Sequence, residues 1–467
     1  MNNDELCALS ATAVVAAVRA RKVTATRVAE AFLDRTARLE PALNTYVTLD
    51  AEGALRSASE VDQKIAAGQD PGPLAGLPVS VKDLVAVGGL RQTFGSVLYK
   101  DNIASADAPS VERLRRAGAC ITGKTTTSEL GSKAVGDSPL TGITRNPWNL
   151  QFTPGGSSAG AAAGVAARMV PAALGTDGGG SIRIPASFCG LVGFKATFGR
   201  VPVWPASATP SLAHVAPMAR NVADVALLLD VITGHDARDP ASIAQAPLDA
   251  TAQLHKPVTG LRVGWVADAG YGHADAEVLE ACRVAALCLA ACGATVSNAS
   301  PLFETDPNGA WNELFYGSIQ DRVRSIGGND LAALPLDAGL KAALARHRPV
   351  AQEVVNQLRL NAVRRIESLF AQYDVLAMPT MPTTAPPVGV DVPAGHEGRN
   401  AVDWSYFTYP FNLSGNPAVS LPVGLSGAGM PIGLQLVARW GDERTLLAAA
   451  AAFEGACPFG DRAMTVA

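Results

Sequence analysis

Two glycine-rich serine segments and one lysine carry the residue types that hydrolytic chemistry needs. The first segment is TPGGSSAG, Thr153 to Gly160, and the second is GTDGGGSIRIPA, Gly175 to Ala186. In the second, the apolar run VPAAL leads into Gly178, Gly179 and Gly180 and then into Ser181. Glycines adopt backbone conformations closed to other residues and leave several N–H groups unobstructed. Fixed N–H donors beside a nucleophile are what an oxyanion hole requires; a tight structural turn would leave the same glycine pattern. A serine hydroxyl is a weak nucleophile until a base takes its proton. The histidines, His214, His235, His255, His273, His347 and His396, are scattered, and none stands in a recognisable triad context. Lysine is the other base that activates serine. Lys82 ends the apolar run GLPVSVKD, where burial would lower its pKa toward neutrality.

The elements that must hold these residues read as alternating helices and strands. The first 70 residues read as helices, with Thr24 as the N-cap of ATRVAEAFLDRTARL and Gly68 stopping AEGALRSASEVDQKIAAG. From Leu77 the pattern changes. GLPVSVKDLV is a buried strand, SVERLRRAG a helix, ACIT a strand, SAGAAAGVAARM a helix of small residues, and VPAALGTD a strand. LRVGWVAD, ATVSNA and DVLAMPT read as further strands, and PAVSLPVG with IGLQLVA as a late hairpin. Such alternation indicates an α/β layer fold. No repeat period and no clear linker divides the chain.

At 467 residues the length alone would allow about three domains or one large one. Apolar residues make up 48% and charged residues 17%, which excludes a mainly disordered chain. The 42 acidic and 38 basic residues give a net charge of −4 without a Lys/Arg-rich run, so nothing drives the chain toward nucleic acid. No span long and apolar enough for a membrane, no signal-peptide run and no metal-ligand spacing is visible. The seven cysteines include no CxxC pair and read as reduced, mostly buried thiols of a cytoplasmic protein.

Lys82, the GGSSAG segment with Ser157, and GTDGGGSIRIPA with Ser181 together resemble the amidase signature family. The likeness continues through FCGLVGFKATFGRVP and GACITGKTTTSELG and, more weakly, DVLAMPT and FNLSGNPAVSLPVGL, most of the chain. The resemblance implies one amidase domain over residues 1–467, with a mixed, mainly parallel central sheet covered by helices on both faces. Within it fall N-terminal helices over 1–70, a signature core over 71–300, a variable substrate-pocket segment over about 300–400, and C-terminal strands and a helix over 401–467. It also implies a Ser–cis-Ser–Lys triad: Ser181 as the acylated nucleophile, Ser157 as the bridging serine after a cis peptide, and Lys82 as the neutral base. Gly178, Gly179 and Gly180 would form the oxyanion hole. Asp177, Arg183 and Ser158 would support the loop. Gly178 departs from the Thr of many members, and Leu84 from the Asn usual in the tRNA-dependent amidotransferases.

Two other motifs fit their contexts poorly. GACITGKT matches a phosphate-loop pattern letter for letter, but a phosphate loop follows a strand and opens a helix, whereas here a helix ends at Gly118. GSSAG matches a nucleophile elbow with Ser158 as nucleophile, but lacks the apolar strand before it. The expectation is a cofactor-free amidohydrolase, monomer or homodimer, cleaving C–N bonds other than peptide bonds in small aryl or alkyl amides or carbamates. The alternative is the glutaminase-type component of a tRNA-dependent amidotransferase. Trp311, Phe315 and Tyr316, with the proline-rich MPTMPTTAPPVG, are expected to line an apolar pocket that favours neutral substrates.

Overall fold

The computed structural model describes residues 1–460, so the last seven positions of the expected C-terminal segment lie outside the described residues. The N-terminal helices form as Asn3–Ala8, Ala11–Arg19, Ala25–Leu43 and Ala51–Ala66. Thr24 Oγ1 caps the third by accepting from Arg27 N at 3.1 Å, and Gly68 follows the fourth with φ +72°. Between the third and fourth lies β1 (Tyr46–Leu49), a strand the sequence pattern did not reveal.

The remaining strands are β2 (Pro78–Lys82), β3 (Cys120–Thr125), β4 (Asp137–Ser138), β5 (Gly142–Ile143), β6 (Ala172–Asp177), β7 (Val192–Lys195), β8 (His214–Ala219), β9 (Arg262–Trp265), β10 (Thr295–Asn298), β11 (Val375–Pro379), β12 (Ala418–Leu425) and β13 (Pro431–Ala438). β4 and β5 form a small separate ribbon. The other eleven make one sheet in the order β1-β3-β2-β6-β8-β7-β12-β13-β11-β9-β10. Its parallel pairings gather in two runs, β2 with β3 and β6, and β9 with β10 and β11. The antiparallel centre between them includes the expected β12–β13 hairpin.

Strand periodicity decides which face of the sheet receives the lysine. Val79 and Val81 of β2, with Ala172 and Leu174 of β6, join the largest apolar cluster. Successive strand side chains point to opposite faces, so Ser80 and Lys82 face the other side. There the helix Ala159–Ala166 packs Ala161, Ala162 and Val165 against Ala173, Ala216 and Met218. Its small residues permit a very close approach: a Cβ on Gly160 would sit 2.1 Å from the Thr45 carbonyl oxygen. Ser157 and Ser158 immediately precede that helix, which brings them to the face that Lys82 occupies.

The cysteine expectation needs correction. Cys288 and Cys457 form a disulfide joining the helices Ala276–Ala291 and Glu443–Ala456 near their C-terminal ends. They lie 169 residues apart in sequence, a separation at which no local motif signals the pairing. Cys7, Cys120, Cys189 and Cys282 are buried free thiols, and Cys292 is a half-buried one. No helix among the described residues is long and apolar enough to cross a membrane.

Candidate active site

Lys82 leaves the end of β2 fully buried. Its Nζ donates to Ser157 Oγ at 2.8 Å and to Thr176 Oγ1 at 2.8 Å, and no carboxylate among the described residues lies within ion-pairing distance. Burial pushes the ammonium pKa well below its ordinary value, opposed only by the more distant charge of Asp177. Burial thus favours the uncharged amine of Lys82 over the ammonium. The Gly156–Ser157 peptide is cis. Ser158 holds the architecture together: its N–H donates to the Ser181 carbonyl at 3.2 Å, tying the two serine segments to each other. The Ser158 hydroxyl is committed to β6, donating to Thr176 O at 3.2 Å and accepting from Thr176 N at 3.3 Å.

Ser157 and Ser181 are both buried and line one cavity of about 270 Å³. Beside Ser181 the glycine loop is braced by an ion pair. Arg183 donates Nε to Asp177 Oδ2 and Nη2 to Asp177 Oδ1, each at 2.9 Å. Burial alone would raise the Asp177 pKa, but the Arg183 guanidinium holds that carboxyl well below the usual range. Arg183 also donates to Thr408 O, Gln435 Oε1 and Asn412 Oδ1, so the late strand β13 helps fix the loop.

The carbonyls of the loop are each held by a hydrogen bond. Trp311 Nε1 donates to Gly178 O at 3.0 Å, Thr408 Oγ1 to Gly179 O at 2.7 Å, and Ile184 N to Gly180 O at 2.7 Å. In a planar trans peptide the N–H points opposite to the C=O. Each pin therefore fixes the direction of the next residue's N–H. The Gly180 N–H is already spent on Asp177 Oδ1 at 2.8 Å, which corrects its expected place in the oxyanion hole. Gly178, Gly179 and Ser181 keep the candidate donors.

The pocket lining also differs from the sequence expectation. Phe315 lines the cavity, but Trp311 and Tyr316 do not. Trp311 is wholly buried, stacked on Phe315 with centroids 4.4 Å apart, and Tyr316 is buried and donates to Ser132 O at 3.1 Å. The proline-rich stretch contributes no lining residue, and the 300–400 segment supplies only Phe315 and Arg322 among the described residues. The walls come instead from Leu84–Ala86, from Gln92, Phe94, Leu130 and Gly131, and from the loop Pro202–Thr209. That loop holds a cis Trp204–Pro205 peptide and carries no pattern that marks it as a wall.

His214 reaches the cavity but serves structure. Its Nδ1 lies 2.8 Å from Leu212 O and 3.1 Å from Asp177 O. Burial, with Lys195 beside it, keeps the ring neutral. The phosphate-loop lookalike is strand β3, with Lys124 paired to Asp83 at 3.1 Å, both wholly buried. Among the described residues no three His, Cys, Asp or Glu side chains cluster in a way that could hold a metal ion.

Known proteins resemble this one along almost the whole chain. Residues 27–447 match the family model described as Amidase. The chain is 36% identical to an acylamidase of Rhodococcus erythropolis, over 99% of this chain and 98% of that one. It is also 36% identical to a glutamyl-tRNA(Gln) amidotransferase component of Carboxydothermus hydrogenoformans, over 96% and 97%. Among solved structures, a bacterial aryl acylamidase of the amidase signature enzymes superposes with a TM-score of 0.89 at 29% identity, covering 97% of this chain and 96% of that one. A 6-aminohexanoate cyclic dimer hydrolase, solved with its substrate, also gives 0.89, at 33% identity and 99% coverage of both chains.

Proposed function

We propose a function from one premise: the chain belongs to the amidase signature family. In this reading it is a serine hydrolase of small aryl or alkyl amides and related carbamates. The observation that carries the reading is the buried Lys82 amine, 2.8 Å from Ser157 Oγ and without a carboxylate partner among the described residues. A neutral amine there can draw the Ser157 proton, and Ser157 can draw the proton of Ser181 in turn. Ser181 Oγ then forms a bond to the amide carbonyl carbon. The oxygen that becomes negative accepts from the N–H groups of the glycine loop. Collapse breaks the C–N bond, and the proton held by the relay passes to the departing nitrogen. The acyl group stays on Ser181 as an ester. Water attacks that ester through the same relay, releasing a carboxylic acid and restoring Ser181.

A second reading follows from the likeness to amidotransferase components: the site would take glutamine and deliver ammonia to a partner. Purified chain assayed against anilides, primary amides, carbamates and glutamine separates the two. The hydrolase reading expects the isolated chain to release acid and amine from an anilide, and Ser181→Ala to abolish this. Turnover of glutamine alone would replace it with the second reading.

A further inference from the structure

The apolar cavity carries one charge without an ionic partner. Asp177 and Arg322 are the formally charged residues among its described lining, and Asp177 is paired with Arg183. Arg322 is half-buried on the helix Ser318–Gly327. Its Nε donates to Tyr99 Oη at 2.9 Å, and its guanidinium lies 5.8 Å from the ring centroids of both Phe94 and Tyr99. These contacts orient the fork through one nitrogen. The two terminal nitrogens meet no hydrogen-bond acceptor among the described residues.

The helical run 308–327 fixes where that cation stands relative to the serines. Phe315 touches the glycine loop: a Cβ on Gly178 would lie 3.3 Å from Phe315 Cε2. Arg322 follows Phe315 by seven residues, Phe315 in the π-helical turn Glu313–Gly317 and Arg322 in the α-helix Ser318–Gly327, and both side chains line the cavity. Ser157 and Ser181 are almost wholly buried, whereas Phe94 and Arg322, which line the same cavity, are half-buried. A substrate reaching from Ser181 to Arg322 therefore crosses an apolar wall and ends against a guanidinium fork. That fork matches a carboxylate in plane and spacing.

We propose that Arg322 is a carboxylate-binding subsite, so that the preferred substrates are amides carrying a carboxylate separated from the scissile bond by an apolar spacer. This rests on the hydrolase reading above and narrows it, and it reverses the expectation of a preference for neutral substrates, which assumed no cation in the pocket.

The test compares an acetanilide bearing a para butanoate chain with the analogue whose carboxylate is replaced by a methyl ketone. Their affinities are measured by calorimetry on the Ser181→Ala chain, and their kcat/KM on the wild type. The carboxylate should be favoured about tenfold or more in both, the scale of a charge-assisted pair. Arg322→Gln should bring the ratio near one, while Arg322→Lys should retain part of it. A structural role for Arg322 would move both compounds together and leave the ratio unchanged. Equal or undetectable binding of the two compounds, or a ratio unaffected by Arg322→Gln, would overturn the inference. A binding preference without turnover would leave it standing while the hydrolase reading fell; turnover without a preference would do the reverse.

Discussion

In the proposed mechanism the buried Lys82 is the base, and its burial also sets a pH dependence of stability. Its folded pKa lies well below the ordinary value of 10.5. Between those two values the unfolded chain holds one proton more than the folded chain, so wild-type stability rises with pH through that window. A Lys82→Met variant lacks this contribution. Within that window the wild type should gain on the variant by up to about 1.4 kcal/mol per pH unit, the full slope for one proton. Urea melts at three pH values measure it, and parallel curves would mean that the folded lysine stays charged. Activity should rise with pH over the same groups' titration, and Lys82→Ala should lower kcat by about 10²–10⁴-fold. Trp311 makes a different prediction. Its indole N–H holds the Gly178 carbonyl and thereby aims the Gly179 N–H. Trp311→Phe keeps the ring and removes the donor. Its kcat should fall toward the about 10²-fold loss of one oxyanion donor, with KM little changed. A change confined to KM would return Trp311 to the pocket wall. Lys82, Ser157 and Ser181 were legible because a lysine in an apolar strand and serines in glycine runs are rare patterns. The commitment of Gly180 N–H to Asp177 was not, because it depends on a loop conformation. Arg322 resembles any helix-surface arginine until the fold brings Phe94 and Tyr99 beneath it.

Elements with a clean period or a strong stop were readable: β2, β6, β9, β11 and the β12–β13 hairpin fall where apolar runs place them. β1, β7 and β8 did not announce themselves. β7 is Val192–Lys195, four buried residues ending in a lysine, and β8 is His214–Ala219, with a histidine and a proline inside a buried strand. Both sit at the antiparallel centre, where pairing rather than local propensity decides the structure. The small-residue helix Ala159–Ala166 tests how closely the serine segment must be held. Gly160→Ala would drive a methyl into the Thr45 carbonyl. Overpacking of this kind costs about 1–3 kcal/mol, and because the helix carries Ser157 at its entry, activity should fall with stability. A thermal melt and a kcat measurement on one preparation check both; an unchanged melting temperature would show that the helix can shift away from Thr45.

Across the whole chain, an eleven-stranded sheet brings residues more than 200 positions apart to one site, such as Arg183 and Gln435. The resemblance of the signature motifs made this architecture legible, while local patterns alone gave only an α/β layer fold. Neither cysteine of the Cys288–Cys457 disulfide lines the cavity that holds Ser157 and Ser181. Thiol titration of the unfolded, unreduced chain should find five groups, rising to the full seven after reduction. Reduction should lower stability by about 2–4 kcal/mol, the usual worth of such a link, and leave kcat in place under native conditions; seven thiols before reduction would contradict the bond. The proposed chemistry stands or falls on one serine, Ser181, becoming the acylated nucleophile through Ser157 and Lys82. Covalent labelling of the intact chain with a fluorophosphonate, followed by peptide mapping, reads that step itself. A single adduct on Ser181 is expected, absent in Ser181→Ala and slowed by orders of magnitude in Ser157→Ala and Lys82→Ala. An adduct on Ser158, or no serine adduct at all, would contradict it.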